Sequence, residues 1–421
     1  MEQWTPMWKE LGMDLEGHRG LLEALGPTYR ELFLARGNRP RAMEYFDAVV
    51  GDIHGGRVAE LVEAKGKGHP IIGTFCIFVP EEIILAAGGI CVGVCGGAQF
   101  SIPRGEEVLP QNLCPLIKSA VGFKLSRTCP YFQVLDVVVG ETTCDGKKKA
   151  WETLGEFMPV EVMEVPQRKN PGDMDLWLKE IERFKEFMEE RGHTITPWSL
   201  REAIQVVNEK RKALDRLARL RWNIPPLLSG LDGLLVEQVS FYDDPRRFTH
   251  QVNLLAEELE ERVKEGQGVA PATTPRVMVA GSPMAIPNWK VHALVEEAGA
   301  VVVHEESCIG SRYYRDLVEP RGEGVEDLLE AIARRYMKIT CACFTPNAER
   351  VDRVVEEALK SGAHGVIYHS LSFCQIYEGE ARKIKRALEK AGIPTLAIST
   401  DYSYQDREQL RTRIEAFLER L

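Results

Sequence analysis

The same order of apolar runs, turns and cysteines occurs twice in this chain, and that repetition restricts the fold more than any single motif does. From Pro70, IIGTFCIFVP, EEIILAAGG and CVGVCGG read as strand, helix, strand. Further on, TPRVMVAGSPMAIPNWKVHALVEEAGAVVVHEESCIGS repeats a strand, a proline-containing loop, a helix ending in Ala-Gly, a strand, then cysteine and glycine. Ala87-Gly88 aligns with Ala298-Gly299, Cys95 with Cys308, and Cys144 of GETTCDGKKKAWETL with Cys374 of HSLSFCQIYEGEARKIKRAL. Cys114 in QNLCPLIKS aligns with Cys341 or Cys343 in TCACFTPNAERV. Short apolar strands alternating with helices predict parallel sheets covered on both faces. The expected class is α/β, with two Rossmann-like parallel-sheet domains facing a central cleft.

The flanking segments read differently. Residues 1–65 place Leu21, Leu22, Leu25, Tyr29, Leu32 and Phe33 at helical spacing and predict an N-terminal helical segment. Residues 66–166 form the first Rossmann-like unit, and 271–421 the second. Between them, 167–270 contains DLWLKEIERFKEFMEERG and LREAIQVVNEKRKALDRLARLR, charged sequences with long helical periodicity, and reads as a helical insertion linking the two units.

At 421 residues and 44% hydrophobic composition, the chain is long enough for two or three real cores. A net charge of −10 offers no basic face to neutralise phosphates, so no nucleic-acid partner is expected. The opening MEQWTPMWKELGMDLEGH has no basic region followed by an apolar core, and no run approaches the ~18 apolar residues of a membrane span. The expectation is a cytoplasmic protein with no membrane partner.

Ten cysteines in a reducing compartment are poorly explained by structural disulfides. Eight of them, Cys76, Cys91, Cys95, Cys114, Cys129, Cys144, Cys308 and Cys374, lie beside glycine, proline or strand-like ends, where an α/β fold directs side chains into a shared crevice. A lone buried cysteine needs no function. TTCDG and NLCP, however, set sulfur at predicted helix starts, where backbone N–H groups and the helix dipole stabilise a thiolate. The paired C-x-x-C knuckles of structural zinc are missing, and Cys341-Ala-Cys343 is only a C-x-C. A disulfide oxidoreductase needs C-x-x-C at a helix start, whereas Cys91 and Cys95 follow the helix with three residues between them. GGICVGVCGG lacks G-x-G-x-x-G after a first strand, and no Walker A sequence occurs, which argues against dinucleotide binding and against ATP hydrolysis by this chain.

Charged residues near the cysteines have two readings each. His304, Glu305 and Arg312 surround Cys308 and suit proton delivery or the anchoring of a small anion; ordinary surface charges would look the same. Lys147, Lys148 and Lys149 after Cys144 form either a solvated helix face or a positive field beside an anionic group. His369, ahead of Cys374 in YHSLSFC, is equally a donor or a backbone hydrogen-bond partner.

LPQNLCPLIKS, CPYFQVLDVVVGETTCDGKKKAWE and ESCIGSRYY resemble the 2-hydroxyacyl-CoA dehydratase and benzoyl-CoA reductase family, from about residue 65 onward, with TTCDGKKK the most specific part. The resemblance implies a cubane iron–sulfur cluster between Rossmann-like domains, reduced by a separate ATP-hydrolysing activator. Within that family the chain is most similar to the double-cubane cluster branch, because Cys129 and Cys76 add thiols and the second half has its own cysteine set. That implies a homodimer holding an [8Fe–9S] group that passes low-potential electrons to a small unsaturated substrate.

Two bridged cubanes need about six thiolates. The set expected is Cys114, Cys129, Cys144, Cys308, Cys341 and Cys374, with Cys76 and Cys95 in reserve and Cys343 and Cys91 last. The repeat itself prefers Cys95 to Cys129. Two other functions are open: a radical 2-hydroxyacyl-CoA dehydratase subunit with one [4Fe–4S] cluster, and a non-catalytic electron carrier.

Overall fold

A computed structural model describes residues 2–421. Its strands are β1 (Ile71–Thr74), β2 (Ile90–Gly93), β3 (Val137–Glu141), β4 (Val160–Met163), β5 (Arg276–Gly281), β6 (Val301–Glu306), β7 (Gly365–Leu371) and β8 (Thr395–Thr400). They form two parallel four-stranded sheets with the same topology, β2-β1-β3-β4 and β6-β5-β7-β8. The central strands are short, rich in Val and Ile and buried along their whole length, as strands covered by helices on both faces must be. In each sheet the chain order reverses across the first strand, between β1 and β3 and between β5 and β7. That reversal opens a crevice at the carboxyl ends of the strands.

The Ala-Gly pairs of the repeat mark equivalent helix ends. Gly88 (φ +75°) and Gly299 (φ +88°) each follow the alanine that closes a helix, in the left-handed region that glycine enters without steric strain.

Among the described residues, four α-helices, Thr5–Glu10, Leu15–Tyr29, Met43–Gly51 and Gly56–Gly66, precede the first sheet. Four more, Pro171–Glu189, Pro197–Leu220, Gly230–Val239 and Pro245–Glu265, separate the sheets in sequence. Thr196 starts the longest by accepting from the Ser199 amide, and Asp244 starts another by accepting from Arg246 and Arg247. These helices do more than link. One continuous apolar core runs from Ile72 and Val139 of the first sheet, through Trp177, Leu214 and Leu235 of the helices, to Val277 and Val302 of the second.

Buried ion pairs fix the same layer to both sides. Arg211 reaches Glu82 in the first half at 2.6 Å, and Arg221 reaches Glu305 in the second at 2.6 Å. Among the described residues, no helix is long and apolar enough to cross a membrane.

Candidate functional site

The carboxyl ends of both sheets open onto one cavity of about 440 Å³. Eight thiols line it: Cys76, Cys95, Cys114, Cys144, Cys308, Cys341, Cys343 and Cys374. Their placement follows from the topology. Cys76 lies just past β1, Cys95 past β2 and Cys308 past β6. Cys144 and Cys374 each stand three residues beyond the third strand of their sheet and cap a helix, Asp145–Gly155 and Gln375–Lys390. Cys114 caps Pro115–Ser126. Three sulfurs therefore sit at helix N-termini, where free N–H groups and the dipole favour thiolate.

The thiols form close sets. Cys114 neighbours Cys374, Cys308 neighbours Cys76, and Cys341 neighbours Cys343; within each pair one thiol is acidified by its neighbour's hydrogen bond and the other is raised. Cys308 falls to about 7, helped by the Arg312 guanidinium. Cys144 stands close enough to Cys114 and Cys374 to raise or be raised by their charge. Cys95 behaves differently: its thiol donates to the Phe75 carbonyl at 2.9 Å, and burial pushes its pKa up to about 12. All ten cysteines carry free thiols.

Three cations approach the chamber, of which Lys148 pairs with the exposed Asp145 at 3.3 Å. Lys147 lies on its wall, bound to Glu141 and 3.0 Å from Thr143 Oγ1. Burial opposes its charge, but Glu141 and the nearby thiols more than offset this and hold its pKa well above the usual value. Arg312 is fully buried behind the wall, where it donates to Tyr377 and the Gly281 carbonyl and faces Glu306. Tyr377 lines the chamber, with its hydroxyl 3.8 Å from Cys341 Sγ. Phe75, Ile77, Val79, Leu116, Ile117 and Ile309 supply apolar surface between the sulfurs.

Of the thiols expected as ligands, the chamber gathers Cys114, Cys144, Cys308, Cys341 and Cys374. Cys129 is not on the chamber wall: it caps the short helix Pro130–Val134 and lines, with Tyr131, Phe132 and Trp289, an adjoining apolar cavity that shares Gly93, Cys95, Tyr242 and Ile286 with the chamber. Cys91 lies within β2 and faces a third cavity.

None of the three residues expected to handle protons is on the chamber wall. His304 Nε2 is 3.1 Å from Glu357, and Glu305 is held by Arg221 and His292 at 2.6 Å each. Both belong to β6, a strand buried along its length, so its polar side chains are committed to ion pairs with the covering helices. The chamber's one buried carboxylate is Glu81, which opens the helix Glu81–Ala86. Nothing local marks it, since a glutamate in a first helical turn is ordinary.

Among the described residues, no three His, Cys, Asp or Glu side chains converge closely enough to hold a single metal ion. Soft thiol donors spread around a cavity suit a multi-iron group instead, whose thiolates bind different irons.

The sequence profile described as 2-hydroxyglutaryl-CoA dehydratase, D-component, matches residues 76–421. A protein of Escherichia coli (strain K12) named "Putative dehydratase subunit YjiM" is 38% identical over 365 residues, covering 86% of this chain and 94% of that one. The (R)-phenyllactyl-CoA dehydratase beta subunit of Clostridium sporogenes is 26% identical, over 84% of this chain and 92% of its own. One of the subunits of benzoyl-CoA reductase from Thauera aromatica is 23% identical, over 72% of this chain and 78% of its own.

Proposed function

The chain belongs to the 2-hydroxyglutaryl-CoA dehydratase D-component family, and from that premise we propose that it is a cytoplasmic iron–sulfur reductase. In this reading an ATP-hydrolysing activator supplies low-potential electrons, and a small unsaturated substrate receives them. The observation that carries it is the gathering of eight thiols from both sheets in one cavity. A double-cubane group, when bound, supplies low-potential electron transfer.

The protein's own residues do the rest. Cys114, Cys144 and Cys374 form one set of three ligands. Cys308 and Cys341 belong to the other, and its third member is Cys76, which stands beside Cys308, whereas Cys129 lies in another cavity. Lys147 and Arg312 balance the negative charge of the thiolates, and the three helix N-termini add partial positive charge. The apolar wall restricts water, which strengthens each of these interactions. A homodimer completes the reading, each protomer holding its own thiol chamber.

A second reading takes its support from the relatives named as dehydratase subunits: a 2-hydroxyacyl-CoA dehydratase subunit with a single cubane. Iron and acid-labile sulfide measured on protein purified without oxygen separate the two. About eight irons per chain supports the reductase and about four the dehydratase, while zinc in place of iron overturns both. Turnover with an activator, MgATP and a strong reductant then tests catalysis. Reduction of the protein-bound iron with no substrate reduced makes the chain an electron carrier.

A further inference from the structure

The thiol chamber shares a wall with a second cavity of about 460 Å³ that opens between Arg57, His193, Glu202, Asp244 and Arg246. Three residues line both cavities: Glu81, Gly93 and Phe241. The wall is thin and tight. The Gly93 amide donates to the Phe241 carbonyl at 2.8 Å, and a Cβ on Gly93 would stand 2.8 Å from Phe241 Cβ, so only glycine fits there. Glu81 is the single ionisable group in it. Its Oε1 accepts from the Tyr313 hydroxyl at 2.7 Å, and its Oε2 accepts from Lys210 Nζ at 2.7 Å. Lys210 in turn lines the outer cavity, where Nζ also donates to the Ser240 carbonyl at 3.3 Å.

A chemical need meets this geometry. Reducing one double bond takes two electrons and two protons, and the chamber is poor in proton donors. Asp145 is fully turned to solvent with Lys148 3.3 Å from it, Lys147 is engaged by Glu141, and burial pushes the phenols of Tyr242 and Tyr377 up. We propose that Glu81 and Lys210 form a proton conduit through the shared wall, from solvent in the outer cavity to the substrate reduced in the thiol chamber. This rests on the reductase reading above.

Each transfer balances. The Lys210 ammonium, which donates to Oε2, first gives that proton to the carboxylate, leaving an amine and the Glu81 acid. The acid O–H then gives its proton to a substrate atom as the π bond breaks and a new bond to hydrogen forms, and the carboxylate returns. The amine takes a proton from water in the outer cavity, and the hydroxide so formed leaves to solvent. Two passages accompany the two electrons delivered by the activator, which is oxidised.

The next residue along supplies the comparison. Glu82 pairs with Arg211 at 2.6 Å between the same two helices, is also buried, and lines neither cavity. If the Glu81–Lys210 pair only anchored helix to helix, neutralising either glutamate would have the same kind of effect.

The test compares Glu81→Gln, Lys210→Met and Glu82→Gln in anaerobically purified protein of verified iron content. Glu81→Gln and Lys210→Met are expected to lower substrate reduction by about 100-fold or more and to raise the solvent isotope effect. The electron paramagnetic signal of the reduced protein stays at full intensity. Glu81→Asp should recover part of the rate, and Glu82→Gln should change melting temperature without changing the isotope effect.

A second readout needs no turnover. Reduction without substrate should produce an infrared carboxyl band that is present in the wild type and in Glu82→Gln but missing in Glu81→Gln. Wild-type rate and isotope effect in Glu81→Gln, or an unchanged infrared band, would overturn the conduit. A wild type that reduces no substrate yet shows the Glu81 band overturns the reductase reading and with it the substrate end of the conduit, while proton uptake at Glu81 through Lys210 still stands. A reducing wild type without the band does the reverse.

Discussion

Cys95 and Cys308 each stand two residues past the second strand of their sheet, in sheets of the same topology, yet their thiols have opposite surroundings. Cys95 donates to a backbone carbonyl and is raised to about 12 by burial. Cys308 has the Cys76 thiol as a hydrogen-bond neighbour and Arg312 behind it, and falls to about 7. The asymmetry begins one strand earlier, because the residue matching Cys76 past β5 is Pro283, which has no thiol to offer. Equivalent backbone position brings a cysteine to the crevice; its neighbours decide whether it arrives as thiolate or thiol.

Removing each sulfur in turn separates the two thiols most strongly. On the proposed two-set reading, Cys308→Ser should lose about half of the iron or more, because one of the two sets of thiols is then incomplete. Cys95→Ser should keep its iron, because a hydroxyl can make the same hydrogen bond to Phe75. Iron content and the electron paramagnetic spectrum check both, and equal losses would erase the distinction.

The helix Pro197–Leu220 and its cap also tie the two halves by matched devices, Arg211 to Glu82 and Arg221 to Glu305. Replacing either arginine with Met leaves a buried carboxylate without its main partner, for which a destabilisation of about 3–5 kcal/mol is typical. In denaturant unfolding both variants should lose comparable stability. If the halves unfold independently, each variant will instead show its own early transition. Glu305 therefore has a structural occupation, and Glu305→Gln should reduce stability more than it reduces activity per folded molecule.

Much of this architecture is legible in the sequence because it is written in local chemistry. Runs such as VVVG and VVVH announce buried strands, and the paired Ala-Gly steps announce left-handed helix ends. The site is only partly legible. Cys114-Pro115 and Cys129-Pro130 look alike, and both cysteines cap helices that begin with proline. One helix points its start into the crevice and the other lies against the N-terminal segment, a difference set by packing across the chain. His304 and Glu305 read as a polar loop beside a cysteine, but they lie inside β6, where burial forces them into ion pairs. Glu81 and Lys210 are 129 residues apart, so no motif contains both.

Acid sensitivity gives a smaller test of the second half. Burial pushes the Glu357 carboxyl up, but His304, Arg315 and Ser311 more than offset this and hold its pKa at about 2. A carboxylate depressed in the folded state stabilises above its unfolded pKa, and that contribution is lost as pH falls toward the folded value. The window therefore runs from about 4.5 down to about 2, with at most about 3 kcal/mol involved. Glu357→Gln should be less stable than wild type at neutral pH and lose less on acidification across that window. Glu141 likewise accepts from a cation, Lys147, and a hydroxyl, Thr143, but there burial outweighs them and its pKa is raised, so the corresponding Glu141→Gln variant should lack the effect.

The lysine run offers the smallest expected change beside a large one. Lys147 turns inward, its side chain 14% exposed and bound to Glu141, and also sits 5.1 Å from the Phe75 ring. Lys149, two residues on, points to solvent at 78% exposure and pairs with Glu152 one turn away. An exposed pair of that kind contributes about 0–1 kcal/mol and is screened by salt. Lys149→Ala should therefore leave iron content unchanged and shift stability by less than about 0.5 kcal/mol. Lys147→Met removes the cation that faces the thiols and strands Glu141 in the wall, so it should weaken iron retention at the same protein concentration. A loss of iron in Lys149→Ala equal to that in Lys147→Met would mean that the charge of the helix as a whole, and not the one inward side chain, supports the site.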